Sequence, residues 1–343
     1  MPIKSPGPSP LPRLLVRMPS YKRQPAACTI FLLVCLTLLV SAVPAGSQPV
    51  LESFPDLEQT GTIVDPRIQE ASGLAVSRIN PDTLWIINDS GNLPILYAVG
   101  FSGQLLHSFI ISEASNRDWE DLAAFSRDGQ SYLLIADVGD NRASRRDCTL
   151  LVVREPTLSE TAHLNSTTLP IEQRINFRYA DGPRDCEAVA VDVQNRRILL
   201  VSKRTEPPEL YMLPMPGRNS SDELSVWKIA DIPTIPPPSK RDRTWKYGQY
   251  IAQPTAMDCS PDGKRLTILT YKHAYSYERD ADQTWQEALQ GHPRCIKLPH
   301  PDTGLLRQRE ALACDPHTGD LYVTTEGIPA PILRVQNVLE GRN

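Results

Sequence analysis

The sequence predicts an all-β protein, a single β-propeller with four-stranded antiparallel blades, most simply five blades, with six as the alternative. One observation is a two-part pattern that returns five times. A short apolar strand opens, and a second strand closes on a polar residue sixteen or seventeen positions later. Another is the regular separation of the openings, by 48, 67, 68 and 55 residues. The first strands open at Ser72, Glu120, Glu187, Thr255 and Glu310. The second strands close at Asp89, Asp137, Lys203, Tyr271 and Glu326.

Turn residues separate the two strands of each repeat, as in Asn80-Pro81-Asp82 and Pro261-Asp262-Gly263. Asn, Asp and Gly tolerate the positive φ that tight hairpins need. A third apolar strand follows in every repeat and a fourth in the first four, whereas the fifth repeat ends without an outer strand. We expect the segment 61–64 to supply it and close the ring, because an open ring would leave unpaired strand edges.

A long connection between the third and fourth repeats interrupts this regular spacing. It begins with the proline-rich stretch 232–239 and continues through the basic stretch 240–246. Long insertions on a rigid scaffold are more often functional rims or lids than domain boundaries. Helical periodicity is not convincing anywhere along the chain.

The first 47 residues are predicted to be a signal peptide or N-terminal anchor, and residues 48–343 the propeller domain. Five basic residues and no acidic one precede or flank an apolar run from Thr29 to Val43, and small residues follow it. That run is short for a spanning helix, which needs about 20 residues. The expected location is secreted or periplasmic, with a membrane-anchored protein exposed outside the cytoplasm as the alternative.

The net charge of the chain limits the kinds of molecule that it is expected to bind. The formal charge is −4, and removing the five basic residues of the leader leaves about −9. Nucleic-acid binding needs clustered Lys and Arg, so this composition argues against it. We expect a monomer that binds a small molecule or glycan at the channel mouth and contacts a membrane only if the leader is retained.

Five cysteines lie beyond the leader, without the spacing of a zinc site. Cys148 and Cys186 both fall at strand starts on the same expected face of the propeller. In an exported protein this pair is the one expected to form a disulfide.

Because two antiparallel strands form each hairpin, the opening and closing residues meet at the same end of the blade. The innermost strands line the channel, so the carboxylates should converge at its mouth. Clustered carboxylates raise each other's pKa unless a cation neutralises them. Oxygen ligands suit Ca²⁺ best, with Mg²⁺ or Mn²⁺ as weaker candidates. The predicted metal ligands are Asp89, Glu120, Glu187 and Glu310.

Two alternatives to a metal remain open. A wide, water-filled channel could solvate the carboxylates, helped by Lys203, Arg204 and Arg309. A proton-sharing catalytic pair is the other alternative. None of the six histidines opens or closes a repeat strand at the expected mouth, and the sequence has no G-x-S-x-G nucleophile elbow.

The order of the motifs resembles that of a family of exported bacterial propeller proteins of unassigned activity. The matching motifs are Asn-Asp-Ser-Gly at 88–91, Asp-Trp-Glu-Asp-Leu-Ala at 118–123, Asp-Val-Gly-Asp-Asn at 137–141 and Asp-Cys-Glu-Ala-Val-Ala at 185–190. More distantly the chain is similar to esterase-like phytase-type propellers and to gluconolactonase- and paraoxonase-type propellers. That resemblance implies Ca²⁺ in the central channel. The chain lacks the Asn-rich ligand set and the catalytic His of those enzymes.

Two functions therefore follow from the sequence. The first is a divalent-metal-dependent hydrolase of esters, lactones or phosphoesters. In it Asp137 or Glu326 acts as a base and Lys203 stabilises the developing oxyanion. The second is a non-catalytic propeller that binds a glycan or a protein and holds a structural cation.

Overall fold

Five β-sheets form a five-bladed propeller in the computed structural model, which describes residues 54, 56–161, 167–217 and 223–336. Blade 1 consists of β2 (Ala71–Val76), β3 (Thr83–Asn88), β4 (Ile95–Gly100) and β5 (Leu105–Ile111). Blade 2 consists of β6 (Trp119–Arg127), β7 (Gln130–Asp137), β8 (Cys148–Arg154) and β10 (Ile171–Tyr179). Blade 3 consists of β11 (Cys186–Asp192), β12 (Arg197–Ser202), β13 (Glu209–Pro214) and β15 (Lys228–Asp231).

The last two blades complete the ring. Blade 4 consists of β16 (Pro254–Cys259), β17 (Arg265–Thr270), β18 (His273–Glu278) and β19 (Arg294–Lys297). Blade 5 consists of β20 (Ala311–Cys314), β21 (Leu321–Thr324), β22 (Ala330–Val335) and β1 (Leu57–Ile63). Two short strands, β9 (Thr167–Leu169) and β14 (Leu224–Val226), pair in parallel with the outer strands of blades 1 and 2. The prediction of a single five-bladed, all-β propeller is confirmed.

The N-terminal strand closes the ring, as the sequence predicted. Strand β1 pairs antiparallel with β22, so blade 5 is built from both ends of the described chain. A Cβ at Gly61 would overlap the backbone of Ser102 in blade 1. Only glycine allows the closing strand to approach blade 1 this closely.

Apolar side chains fill the five interfaces between neighbouring blades, each with its own buried cluster. Strands β2, β3 and β11 are buried along their whole length. Fully buried strands read as continuous apolar runs rather than as alternating ones, because both faces pack.

The predicted disulfide is not present. Cys148 and Cys186 are both free and both belong to the apolar cluster between blades 2 and 3. The Cys148 thiol donates to the carbonyl of Val138 and the Cys186 thiol donates to that of Ala188. Each thiol therefore packs against the backbone of its own blade instead of bonding to the other.

Helices contribute little to the described part of the chain. They comprise two single turns, α1 (Leu158–Thr161) and α2 (Trp285–Ala288), and three 3₁₀ turns. Across these described residues, none of the helices has both the length and the apolar character that crossing a membrane requires. The predicted leader at residues 1–47 lies outside the described residues.

Candidate metal centre and adjoining cavity

Four of the five opening residues lie at β-bulges. Between the two inner strands of blades 1 to 4 the pairing register shifts by one residue. A bulge leaves one residue out of the ladder and redirects its side chain. The extra residues are Ser72, Glu120, Glu187 and Thr255. The sequence pattern located these positions but did not reveal the bulges.

The two hydroxyl residues of this ring link neighbouring blades. Ser72 Oγ donates to the carbonyl of Trp119 at 2.8 Å, which connects blades 1 and 2. Thr255 Oγ1 donates to the carbonyl of Arg309 at 2.9 Å, which connects blade 4 to the start of blade 5. Both side chains are buried, so their role is structural.

Asp121, which belongs to the motif at 118–123, is fully buried and joins three blades. Its Oδ2 accepts hydrogen bonds from the backbone N–H groups of Val189 at 2.7 Å and Met257 at 3.0 Å. Burial raises the pKa of Asp121, and these N–H donors oppose that rise. The carboxyl group is occupied by the backbone and is not available to a ligand.

Carboxylates from three blades converge around Glu120. One group comprises Asp89, Asp118 and Glu120, and a second comprises Glu120, Asp185 and Glu187. In each group one oxygen per residue lies within 4.8 Å of the others. Glu120 is only 3% exposed and belongs to both groups. The structure therefore contains an acidic cluster that could hold a divalent cation.

Lys203 neutralises the other side of the cluster. Its Nζ donates to Glu187 and lies 3.6 Å from Glu310 Oε1. The hydroxyl of Tyr271 also donates to Glu310. Burial disfavours the charge of Lys203, but the two glutamates outweigh it and raise its pKa. Glu310 lies outside both candidate metal groups. Its carboxylate is engaged by Lys203 and Tyr271.

The three predicted glutamate ligands are not solvated by a wide channel. Glu120, Glu187 and Glu310 are 3%, 2% and 6% exposed. Arg309 does not help to neutralise them, contrary to expectation. Its fully buried guanidinium donates to the carbonyls of Lys272, Leu306 and Pro299.

Residues 137–141 form a rigid loop beside Glu120. Asp137 is paired with Arg145, with Arg145 Nη1 at 2.8 Å from Asp137 Oδ1, and both side chains are buried. Asp140 donates its backbone N–H to Asp185 Oδ1 at 2.9 Å. Gly139 lies against the cluster, where a Cβ would overlap Glu120 Oε1 and reach 2.7 Å from Asp118 Oδ2. The loop thus forms one wall of the carboxylate cluster.

Burial and mutual repulsion shift the acidic groups. Burial raises the pKa of Asp89 to about 6, and the charges of Asp118 and Glu310 add to the rise. Burial also raises the pKa of Glu120, with further contributions from Glu187 and Asp89. For Glu326, burial and then Glu310 raise the pKa to about 9. A bound cation would reverse these shifts by favouring the charged forms.

An open cavity of about 370 Å³ adjoins the cluster through Lys203 and Tyr271. Its outer wall carries Trp245, Tyr247 and Tyr250 from the insertion between blades 3 and 4. Residues 232–246 were predicted to form a rim or lid, but no role was predicted for the aromatic residues at and just beyond the end of that stretch. The run Trp-Lys-Tyr-Gly-Gln-Tyr at 245–250 was the available signal.

A larger cavity, of about 740 Å³, lies elsewhere on the molecule. It is lined by the hairpin turns that join the inner strands of blades 4 and 5, including Asp262 and Asp315. Those turns are at the opposite ends of the strands from Glu310, so this cavity has no contact with the carboxylate cluster.

We predict that Gly139→Ala weakens Ca²⁺ binding by about tenfold or more, because the new Cβ must displace the Glu120 carboxylate. Disturbing groups that position metal ligands typically costs 10–100-fold in affinity. Calorimetric titration with Ca²⁺ measures the effect. Gly217→Ala is the matched control, since a Cβ there meets open space. If Gly139→Ala and the wild-type protein bind Ca²⁺ with equal affinity, the close packing of Gly139 against the Glu120 carboxylate is wrong.

Glu326 gives a pH-dependent prediction. Its folded pKa of about 9 exceeds the ordinary value of 4.5, so the folded protein holds a proton that the unfolded chain releases. The free energy of unfolding therefore falls as the pH rises towards 9. We expect the Tm of chelator-treated protein to drop between pH 7 and pH 9, and Glu326→Gln to flatten that drop. Glu278→Gln, at an exposed position, should leave it unchanged.

No family model matches this chain, and no curated protein is similar to it in sequence. Similar solved structures include Mala s 1, the major allergen of Malassezia sympodialis, at a TM-score of 0.46 and 10% identity over 83% of this chain and 97% of that one. Glutaminyl cyclase of Myxococcus xanthus has a TM-score of 0.45 and 12% identity over 81% of this chain and 95% of that one. Hydrazine synthase of Kuenenia stuttgartiensis has a TM-score of 0.41 and 9% identity over 79% of this chain and 84% of that one. At this level of similarity these proteins provide no functional assignment.

Proposed function

We propose that this chain is an exported, divalent-cation-dependent hydrolase of ester, lactone or phosphoester bonds. The observation that carries the proposal is the group formed by Asp89, Asp118 and Glu120. Among the described residues none of these three has an ion-pair partner. Glu187 and Asp185, by contrast, are paired with Lys203 and Arg204. Burial raises the pKa of all three carboxyl groups. Lys203 opposes that rise for Asp89 and Glu120, and Arg145 opposes it for Asp118, but neither cation pairs directly with them and burial has the larger effect. This group therefore favours a bound cation.

The donor set favours Ca²⁺. Asp89, Asp118 and Glu120 offer only carboxylate oxygens. Ca²⁺ takes such ligands at about 2.3–2.6 Å in flexible geometry, whereas Mg²⁺ requires near-ideal octahedral geometry at about 2.0–2.1 Å. The Gly139 wall fits the same interpretation, since a side chain there would fill the space that Glu120 and Asp118 occupy.

When bound, the cation would polarise a carbonyl or phosphoryl oxygen of the substrate. Lys203 and Tyr271 lie between the cluster and the open cavity. The Tyr271 hydroxyl donates its proton to Glu310, whereas the Lys203 ammonium has three N–H donors and can also donate to an oxyanion that develops there. Gln308, which lines the cavity, donates from its Nε2 to Glu326 Oε2 at 2.6 Å. Burial raises the pKa of Glu326 to about 9, so it holds a proton at neutral pH. We therefore assign it the role of proton donor to the leaving group rather than that of base. Asp137, paired with Arg145, is assigned to holding the loop.

A turnover screen tests the proposal. Mature protein is incubated with ester, lactone and phosphoester substrates in chelator and in millimolar Ca²⁺, Mg²⁺ or Mn²⁺. We expect turnover that depends on the cation and is lost in Lys203→Met. If the cation stabilises the fold and no substrate class turns over, the hydrolase is wrong and the non-catalytic binding propeller replaces it.

A further inference from the structure

The cavity beside the carboxylate cluster is lined by basic rather than acidic side chains. Three cationic side chains line it, Lys203, Arg204 and Arg307, and none of its described lining residues is acidic. Lys203 and Arg204 already pair with buried carboxylates. Arg307 is exposed and has no ion-pair partner among the described residues. It is therefore the cation left free to bind a ligand, and it selects for negative charge.

The lining of the cavity is also aromatic. Tyr247 and Tyr250 are 44% and 42% exposed. Trp245 contacts Tyr247 edge-on, with ring centroids 5.4 Å apart and planes at 74°. Lys246 Nζ lies 4.8 Å from the centroid of the Tyr247 ring, so that ring already has a protein partner. Tyr250 has no aromatic or cationic partner among the described residues, and its face provides flat apolar surface for a ring-shaped ligand.

Both parts of this lining are fixed in place. The segment 239–253, which we call the rim strap, is held by the buried Asp242, which accepts from Lys272 Nζ at 2.7 Å and from the Ser239 N–H at 2.8 Å. A Cβ at Gly248 would overlap the Asp242 carbonyl, so the strap folds tightly on itself. The buried Arg309 holds the backbone that carries Arg307. A preformed site does not have to be ordered when the ligand binds.

We infer that this cavity binds an anionic sugar, with its carboxylate or phosphate on Arg307 and its ring against Tyr250. A volume of about 370 Å³ suits one or two sugar rings and lies within the usual range for ligand pockets. The inference names the substrate class of the proposed hydrolase and in that respect rests on it. The binding itself needs only the cavity.

Calorimetric titration of the mature protein with glucuronate, glucose 6-phosphate and glucose tests this inference, in chelator and again in Ca²⁺. We expect at least one anionic sugar to bind about tenfold or more tightly than glucose. Arg307→Ala should remove that preference, since a charge-assisted hydrogen bond is worth about this much. Tyr250→Ala should weaken all three sugars alike. Lys240→Ala removes a cation from the same strap, outside the cavity, and should change nothing.

The outcomes separate the two proposals. Equal affinity for glucose and both anions, or anion binding that survives Arg307→Ala, overturns the inference. The absence of binding by any of the three sugars also overturns it. Anion-selective binding in a protein that turns over no substrate supports this inference while the hydrolase fails.

Discussion

Glu120→Gln is expected to weaken Ca²⁺ binding by about 100-fold or more. Glu120 belongs to both carboxylate groups, so its loss removes one ligand charge from any cation held there. Perturbing residues that merely support metal ligands typically costs 10–100-fold in affinity, and a direct ligand should reach or exceed the upper end. The cation-free protein should not lose stability, because burial and neighbouring carboxylates raise the pKa of Glu120. An uncharged side chain relieves that repulsion.

Calorimetric titration with Ca²⁺ and a melting curve in chelator measure the two effects. Glu278→Gln is the matched control, since that side chain is 77% exposed and far from the cluster. A Glu120→Gln protein that binds Ca²⁺ as tightly as the wild type would remove Glu120 from the site. A large fall in Tm in chelator would show that the carboxylate serves the fold instead.

Lys203→Met is expected to destabilise the cation-free protein by about 3–5 kcal/mol at neutral pH, as is typical when one partner of a buried ion pair is removed. The side chains of Lys203, Glu187 and Glu310 are 8%, 3% and 8% exposed, so solvent cannot replace the lost partner. Burial already raises the pKa of Glu187, against the pull of Lys203. Without the lysine the folded state favours protonated Glu187 more strongly, so the defect should shrink as the pH falls.

Denaturant unfolding in chelator, at neutral and mildly acidic pH, measures this loss. Lys228→Met is the matched control: Lys228 also pairs with two carboxylates, Glu209 and Asp231, but at the surface. Exposed ion pairs contribute about 0–1 kcal/mol. If the two lysine variants lose the same small amount of stability, Lys203 is not the buried counter-ion of the cluster.

The repeat pattern predicted the fold because it reports strand pairing directly. Each blade needs an inner hairpin, and the turn at Pro261-Asp262-Gly263 fixes its length whatever surrounds it. The closing strand was predictable from an absence, the missing outer strand of blade 5, since edge strands must be covered. Both inferences depend on backbone hydrogen bonding.

The site was predictable only in outline. Hairpin geometry brought Glu120, Glu187 and Lys203 to one end of the ring. It could not show that Lys203 forms ion pairs with Glu187 and Glu310. Ion pairing between blades depends on distances in space that the spacing of residues along the sequence does not determine. For the same reason the part played by Asp118 was not predicted.

Two smaller predictions, the disulfide and the role of Arg309, were wrong because long-range packing decides where these side chains lie. Cys148 and Cys186 start strands of adjacent blades, yet both thiols are free and lie in the apolar interface between blades 2 and 3. Arg309 precedes Glu310 in sequence, but its guanidinium is buried among backbone carbonyls. Neighbouring positions in sequence do not fix where a long side chain finds its partners.

The most direct measurement is the Tm of the purified protein in chelator and in millimolar Ca²⁺, Mg²⁺ or Mn²⁺. A cation that binds only the folded state adds about 2.7 kcal/mol at a concentration 100-fold above its Kd. For a domain of about this size, each kcal/mol of added stability raises the Tm by roughly 2–4 °C. A cation site at Asp89, Asp118 and Glu120 predicts a rise of several degrees, largest with Ca²⁺ and nearly absent in Glu120→Gln. A Tm that does not move with any of the three cations contradicts it.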